Sequence, residues 1–372
     1  MIYLDSAATT FQKPPAVSRA VRGAMASMTS PGRGTYGPAA RASRTLLACR
    51  EEAAALFQVA QPERVVLTFN ATHGLNIAVK SLVKPGASVL LSGYEHNAVT
   101  RPLAAIPGVQ VEVVRAPLFC PGLFLEELER CLTPQVDVMI CTHVSNVFGY
   151  VLPMEEIAAL CRRRGVALIV DASQSAGVLP VRLEDWGAAF VAMPGHKGLY
   201  GPQGTGLLLC RELGEPLLAG GTGSLSRQPD MPDFLPDRLE AGTHNVPGAA
   251  GLLEGLRFLR RRGIRPLFRH ETALISQAAK GLSRLPRVQV YWAGEKGCQG
   301  GVLSFRVAGR DPGWVADRLG QQGIAVRAGL HCAPLAHATG GTEATGTVRM
   351  SVSAFNTERE VERFLGAMGK LG

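Results

Sequence analysis

No apolar run in this sequence approaches the roughly 20 residues that a bilayer-spanning helix needs, so no membrane segment is expected. The opening residues, Met1-Ile2-Tyr3-Leu4-Asp5, lack the basic-then-apolar pattern of a secretory signal, and a cytoplasmic location follows as the expectation. None of the eight cysteines, at positions 49, 120, 131, 141, 161, 210, 298 and 332, is spaced C-x-x-C from another, which leaves no zinc or thioredoxin-type motif and no expected metal site. They are expected as reduced thiols, with Cys141, Cys161 and Cys210 in apolar surroundings as small core residues. Internal repeats and low-complexity tracts are missing as well.

What is present fits a folded, two-domain chain. The 372 residues are 46% hydrophobic, enough for a large buried core. A charged fraction of 19% and a mean hydropathy of +0.11 exclude disorder. Forty-three glycines imply many tight turns or close backbone approaches. The net charge of +9 reads as a basic soluble surface with no nucleic-acid partner. Arg162-Arg163-Arg164 and Arg260-Arg261-Arg262 resemble the basic last turns of helices. An anionic cofactor or acidic partner would use some of this charge.

Through the first two-thirds, short apolar runs alternate with helical patterns. Strands are expected at Val65–Phe69, Ser88–Ser92, Val109–Val114, Val136–Val144, Ala167–Val170, Ala188–Met193 and Gly206–Cys210. Leu75, Val79, Leu82 and Val83 share a helical face, and a helix from Met154 to Arg164 is stopped by Gly165. Buried strands alternating with helices predict an α/β fold with a mainly parallel sheet covered on both faces. After about Pro247 the pattern becomes a smaller α+β unit. Helices are expected at 248–262, 266–285 and 312–322, with strands at 287–291, 302–307, 324–327 and 347–353. Thr357-Glu358-Arg359-Glu360 is a capping box for a last helix whose buried stripe is Val361, Phe364, Leu365 and Met368. Gly220 to Pro236 reads as a loop that orders on assembly.

Three strand ends carry chemistry. In Val170-Asp171-Ala172-Ser173-Gln174 a carboxylate follows a buried strand, at the edge where parallel sheets bind ligands. It suits holding a pyridinium nitrogen protonated, and equally capping a helix. One crossover later, Pro194-Gly195-His196-Lys197-Gly198-Leu199-Tyr200-Gly201 places a lysine after another buried strand. Such an amine is either a solvated loop charge or a nucleophile whose pKa is lowered by nearby cations. Asn70-Ala71-Thr72-His73-Gly74, between a strand and a helix, offers an anion cradle or an ordinary threonine N-cap.

In this order along the chain, these motifs resemble the class V aminotransferase-fold enzymes, specifically the cysteine desulfurase and selenocysteine lyase group. The resemblance runs from Tyr3-Leu4-Asp5-Ser6-Ala7-Ala8-Thr9-Thr10 to Arg349 and the last helix. It implies the type I fold of pyridoxal 5'-phosphate (PLP) enzymes, with a large PLP-binding domain of residues 16–247 and a small domain of 1–15 with 248–372. Lys197 would carry the cofactor as a Schiff base and Asp171 would pair with its pyridine nitrogen. His96, in Glu95-His96-Asn97-Ala98-Val99, would stack on the ring and move protons. Asn146 and Gln174 would lie near the ring hydroxyl. Ala71, Thr72 and His196 fall at phosphate-binding positions, and Thr243 matches a threonine reaching the phosphate from a second subunit, which implies a homodimer. Arg349, in Thr347-Val348-Arg349-Met350-Ser351, would grip the substrate carboxylate, for which a guanidinium fork is suited. Arg327 would lie at the substrate side.

Arg327-Ala328-Gly329-Leu330-His331-Cys332-Ala333-Pro334 resembles the catalytic-cysteine segment of the SufS-like branch. Cys332 would take sulfur from L-cysteine as a persulfide, leaving L-alanine. Arg327 and His331 would favour its thiolate. The short connection to Arg349 resembles the branch that hands sulfur to a small acceptor protein, for uses such as iron–sulfur cluster assembly. Some members also cleave L-selenocysteine. A selenocysteine lyase, another class V enzyme (aminotransferase or epimerase) and a non-catalytic sulfur-transfer scaffold are the alternatives. The chain departs from the family at Pro194, Ala71 and Leu330, where serine, threonine and histidine are common.

Overall fold

The structure is a computed structural model, and it describes residues 1–32, 34–294 and 297–371. After a short first strand β1 (Ile2–Tyr3), seven strands form the main sheet: β2 (Val65–Thr68), β3 (Ser88–Ser92), β4 (Gln110–Val114), β5 (Val138–Thr142), β6 (Ala167–Asp171), β7 (Phe190–Pro194) and β8 (Gly206–Cys210). Their order is β2-β8-β7-β6-β5-β3-β4. Only β8 runs against its neighbours; the others point the same way. Every residue of β5, β7 and β8 is buried, so these strands show no in-out alternation. Edge strand β4 instead exposes Gln110, Val111 and Glu112.

Helices cover both faces: α1 (Pro15–Ser27), α2 (Gly37–Phe57), α3 (Ala71–Leu82), α4 (Asn97–Ala104), α5 (Pro121–Cys131), α6 (Met154–Arg164), α7 (Leu183–Trp186) and α8 (Val246–Arg262). Of these, α1, α2, α4, α5 and α7 go beyond the helices given a position from sequence. The arginine triplets do form the last turns of α6 and α8. Helix α8 starts at an Asn245 cap, and Leu252, Leu253, Leu256 and Leu259 enter the main core. Beside it Arg50 forks onto Glu240 at 2.7 and 2.6 Å, and Glu240 also meets His244 Nε2 at 2.6 Å. That buried pair holds Glu240 down at about 2, against its burial, and ties the 240–245 turn to α2.

The remaining elements are α9 (Ile264–Leu282), β9 (Val288–Tyr291), β10 (Val302–Val307), α10 (Pro312–Gln321), β11 (Ile324–Ala325), β12 (Arg327–Gly329), α11 (Pro334–Thr339), β13 (Thr347–Ser351) and α12 (Glu358–Met368). An antiparallel sheet β12-β13-β10-β9 has its own core, which includes Leu274, Leu303, Phe305, Val348, Val361 and Phe364. The run expected as one strand at 324–327 is two: β11 pairs with β1, and β12 pairs with β13. The N-terminal residues Ile2 and Leu4 are thereby buried in the C-terminal core. The Thr357–Glu360 capping box is formed. Cys141, Cys161 and Cys210 are buried, and all eight cysteines are free thiols. Among the described residues no helix is long and apolar enough to cross a membrane.

Candidate active site

Because β2, β3, β5, β6 and β7 run parallel, the loops at their carboxyl ends meet on one edge of the sheet. They enclose a cavity of about 210 Å³ lined by Ala71, Thr72, His96, Asn146, Asp171, Gln174, His196 and Lys197, with Pro194 beside them. Residues 189 positions apart in the chain, Ala8 and Lys197, thus share one chamber.

Lys197 is placed by its neighbours. A Cβ on Gly195 would stand 2.1 Å from Thr205 Oγ1, and one on Gly198 2.3 Å from the Ala176 carbonyl. Only glycine allows this turn to pack so closely. The His196 carbonyl accepts from the Thr10 N–H, the Thr9 and Thr10 hydroxyls and Lys13 Nζ, so the N-terminal segment pins the backbone just before the lysine. Burial is the main force lowering the Lys197 ammonium to about 8; Asp171 opposes the shift, and Arg349 and Arg327 add to it. Nearby cations, expected as the cause, are a lesser one.

Asp171 is buried and its Oδ1 accepts from the Ser173 N–H at 2.8 Å, so it caps a turn and lines the cavity at once. The threonine-cap alternative for the 70–74 turn does not hold. Asn70 caps α3 by accepting from the His73 N–H, which leaves the Thr72 hydroxyl free of that duty. His96 is the N-cap of α4, and its Nδ1 accepts from the Ala98 N–H at 3.0 Å. The neutral ring therefore carries its proton on Nε2. Burial lowers the His96 pKa, with Asp171 acting against it. His196 Nδ1 meets the Thr9 hydroxyl at 3.0 Å, and burial pushes this ring down to about 4. Gln174 Nε2 donates to the Ala7 carbonyl.

The cysteine segment closes onto this chamber. Asn146 Nδ2 donates to the His331 carbonyl at 2.8 Å, and the Asn97 N–H donates to the Cys332 carbonyl at 2.8 Å. His331 and Cys332 both adopt left-handed backbone, at φ 49° and 57°. Such a conformation costs about 1–2 kcal/mol per residue without glycine, and those two bonds help hold it. The Cys332 thiol is exposed, the only fully exposed one of the eight. The expectation that His331 favours its ionisation as a cation fails: the imidazole is buried, bonded to Thr347 and pushed down to about 2, so it is neutral. Arg349 is buried on β13, where Nη1 donates to the Asn146 carbonyl and Nη2 to Asp5 Oδ1 at 2.8 Å. Its buried Nε has no partner among the described residues.

Four expected residues are not among those that line the chamber: Cys332 and Arg349 reach it through their bonds to Asn97 and Asn146, and Arg327 and Thr243 stand apart. Arg327 is exposed, next to Arg349 in the β12–β13 register. Thr243 is exposed and lines a separate cavity of about 50 Å³ with Phe69, His73 and His244, beyond the Asn70 turn. Residues not singled out from sequence also belong to the site. Asp5, Thr10 and Lys13 tie the N-terminal segment to Arg349 and Lys197; Asp5 and Thr10 lie within the N-terminal motif and Lys13 just after it. Glu95, beside His96, is fully buried and pushed up to about 8.

The sequence model of the protein family described as Aminotransferase class-V matches residues 2–364. A probable cysteine desulfurase of Methanothermobacter thermautotrophicus is 34% identical over 377 residues, 97% of this chain and 92% of that protein. Another, of Mycolicibacterium paratuberculosis, is 33% identical over 384 residues; this chain is matched in full (100%) and spans 55% of that longer protein. The solved apo structure of a cysteine desulfurase from Thermococcus onnurineus superposes with a TM-score of 0.90 at 31% identity, covering 100% of this chain and 94% of that one.

Proposed function

The chain belongs to the class V aminotransferase family, and from that premise we propose that it is a PLP-dependent cysteine desulfurase. It would convert L-cysteine to L-alanine and leave the sulfur as a persulfide on Cys332. One observation carries this reading: an exposed cysteine is tied, through its own backbone carbonyl and that of His331, to the loops that hold His96 and Asn146 around Lys197 and Asp171. A transaminase has no use for a thiol held there.

The donor set fits the cofactor. An amine, a carboxylate, an imidazole and the N-terminus of a 12-residue helix line one chamber. In this reading Lys197 would carry PLP, Asp171 would pair with its pyridine nitrogen and His96 would serve its ring. Asn146 and Gln174 would serve the ring hydroxyl, and Ala71, Thr72 and His196 the phosphate. Pro194 and Ala71 supply no hydroxyl, so the phosphate would rest more on Thr72 and the α3 amides. When bound, the cofactor supplies an electron sink for the carbon that loses its proton. Lys197 Nζ takes that proton, and the thiolate of Cys332 attacks the substrate sulfur. Protons leave Cα, the substrate thiol and the Cys332 thiol, and are placed on Cα, Cβ and the persulfide.

Thr243, exposed on the far side of the Asn70 turn, would serve the phosphate of a second copy in a homodimer. The domain division at residues 16–247 against 1–15 with 248–372 belongs to the same reading, with α8 packed against the larger unit. So do a cytoplasmic location, a protein that accepts the sulfur, and some activity toward L-selenocysteine. The test is reconstitution with PLP followed by L-cysteine. Alanine is expected in equal amount to the sulfur recovered as persulfide or sulfide. A protein that binds PLP and yields no alanine from cysteine would overturn the assignment.

Arg349 would hold the substrate carboxylate, yet its Nη2 is occupied by Asp5. A second carboxylate must compete with Asp5 or share the guanidinium with it, against like-charge repulsion. Asp5→Asn keeps an acceptor and removes that charge. It is expected to tighten cysteine binding by about 1 kcal/mol, roughly fivefold, read as a lower KM at unchanged kcat. A higher KM would mean that Asp5 orients Arg349 and does not compete.

A further inference from the structure

Lys197 lines two cavities. One, the front chamber, is that of about 210 Å³; the other, the rear cavity, is of about 30 Å³ and has room for a water or two. The smaller cavity is polar, walled by Ser6, Ser173, Ser351 and Ser353, and it reaches Glu271 of α9. Glu271 is buried (5% exposed), and no described residue hydrogen-bonds or ion-pairs with it. The space for its carboxyl is made by Gly301, where a Cβ would stand 2.4 Å from Glu271 Oε2. Burial alone pushes this carboxyl up to about 8, so it keeps its proton at neutral pH.

A buried, protonated acid facing a polar cavity shared with the catalytic lysine has a use in the proposed reaction. Several protons are in transit there, and one amine cannot hold them all. The front chamber is filled by cofactor and substrate during turnover. We propose that Glu271 is a proton store for Lys197, exchanging a proton with its amine through the rear cavity. This rests on the lysine's role given above. The neutral acid gives a proton to a cavity water, and that water gives one to the Lys197 amine. The products are a carboxylate and an ammonium, no electrons move, and the reverse transfer recharges the store. Glu271 touches neither substrate nor cofactor; it sets the proton supply of a residue that does.

The test is a pH titration of the lysine–cofactor absorbance band in the holoenzyme without substrate. In the exchange Glu271 gives its proton to the Lys197 nitrogen, and the carboxylate left behind favours the positive charge there, so Glu271→Gln is expected to lower the midpoint by at least about half a pH unit, threefold in proton affinity. Glu271→Asp, which keeps an acid, is expected to restore most of that shift. Glu271→Met, of similar length and needing no partner, serves if the glutamine variant does not fold. The other charges around Lys197 (Asp171, Asp5, Arg349 and Arg327), and Tyr200 beside Glu271 with Arg262 near it, stay the same in every variant. A midpoint unmoved in the folded Gln or Met variant overturns the proposal, as does an equal shift in the Asp variant, which would mark a merely structural role. No substrate is needed, so the result can be read even if cysteine gives no alanine, the outcome that would sink the desulfurase reading itself.

Discussion

Lys197→Ala is expected to cut alanine formation from cysteine by at least about 10⁴-fold and to abolish the covalent cofactor band. The fold should survive. The amine is held in place by backbone packing at Gly195 and Gly198 and by the four donors on the His196 carbonyl, none of which the substitution touches. Removing it also removes a charge that burial already disfavours, so the thermal midpoint is expected to hold or rise slightly. Lys197→Arg should not rescue, because a guanidinium stays protonated and cannot act as nucleophile or base. The shift also sets a pH dependence for the cofactor-free protein. The neutral amine is the form that reacts. Capture of PLP by the wild type should therefore rise roughly tenfold per pH unit below about 8 and level off above it. A Lys197→Ala protein keeping a tenth of wild-type turnover would remove the lysine from the centre of the mechanism.

The main sheet was legible in sequence because both its faces are covered. Short all-apolar runs such as Val138 to Cys141 and Gly206 to Cys210 have no alternation to obscure them. Helix α2 was not, since much of its buried face is Ala39, Ala42, Ala53 and Ala54, which give a weak periodic signal. Helix α4 is eight residues long and contains Pro102, which reads as a break. The splitting of the 324–327 run into two strands depends on partners at opposite ends of the chain, β1 and β13, and no local pattern encodes that.

The site divides in the same way. Residues directly after strands, such as Asp171 and Lys197, could be found because strand ends of a parallel sheet converge. Residues that act through long-range pairing could not. Asp5 meets Arg349 across 344 positions. Glu271 sits in the middle of an amphipathic helix, where glutamate ordinarily reads as a solvated charge, and only the close approach of Gly301 and the cavity it shares with Lys197 show otherwise. His331 illustrates the reverse error. Sequence adjacency to Cys332 suggested a helpful cation, whereas burial beside Thr347 and Arg349 makes the ring neutral.

Cys332→Ala is expected to lower alanine formation from L-cysteine by at least about a hundredfold while leaving the cofactor band and the fold unchanged. The thiol is exposed, and alanine meets the left-handed backbone at φ 57° at a cost similar to that of cysteine, so stability should move by no more than about 0.5 kcal/mol. The Asn97 and Asn146 bonds go to backbone carbonyls and persist. What is lost is the acceptor for sulfur: without a thiolate to attack, the substrate sulfur must depart as a poor leaving group. A selenolate departs more readily, because a selenol is the stronger acid. L-selenocysteine is therefore expected to remain a substrate of Cys332→Ala within about tenfold of wild type. The two substrates together separate the roles of the site. Loss of cysteine turnover with selenocysteine turnover intact places Cys332 in sulfur transfer alone, and loss of both would make it part of the common proton chemistry around Lys197. Mass spectrometry supplies the direct check, since wild type incubated with cysteine should gain one sulfur atom on the peptide containing Cys332. If that mass is absent, or if Cys332→Ala keeps full activity with cysteine, the persulfide assignment fails and sulfur must leave by elimination from the substrate.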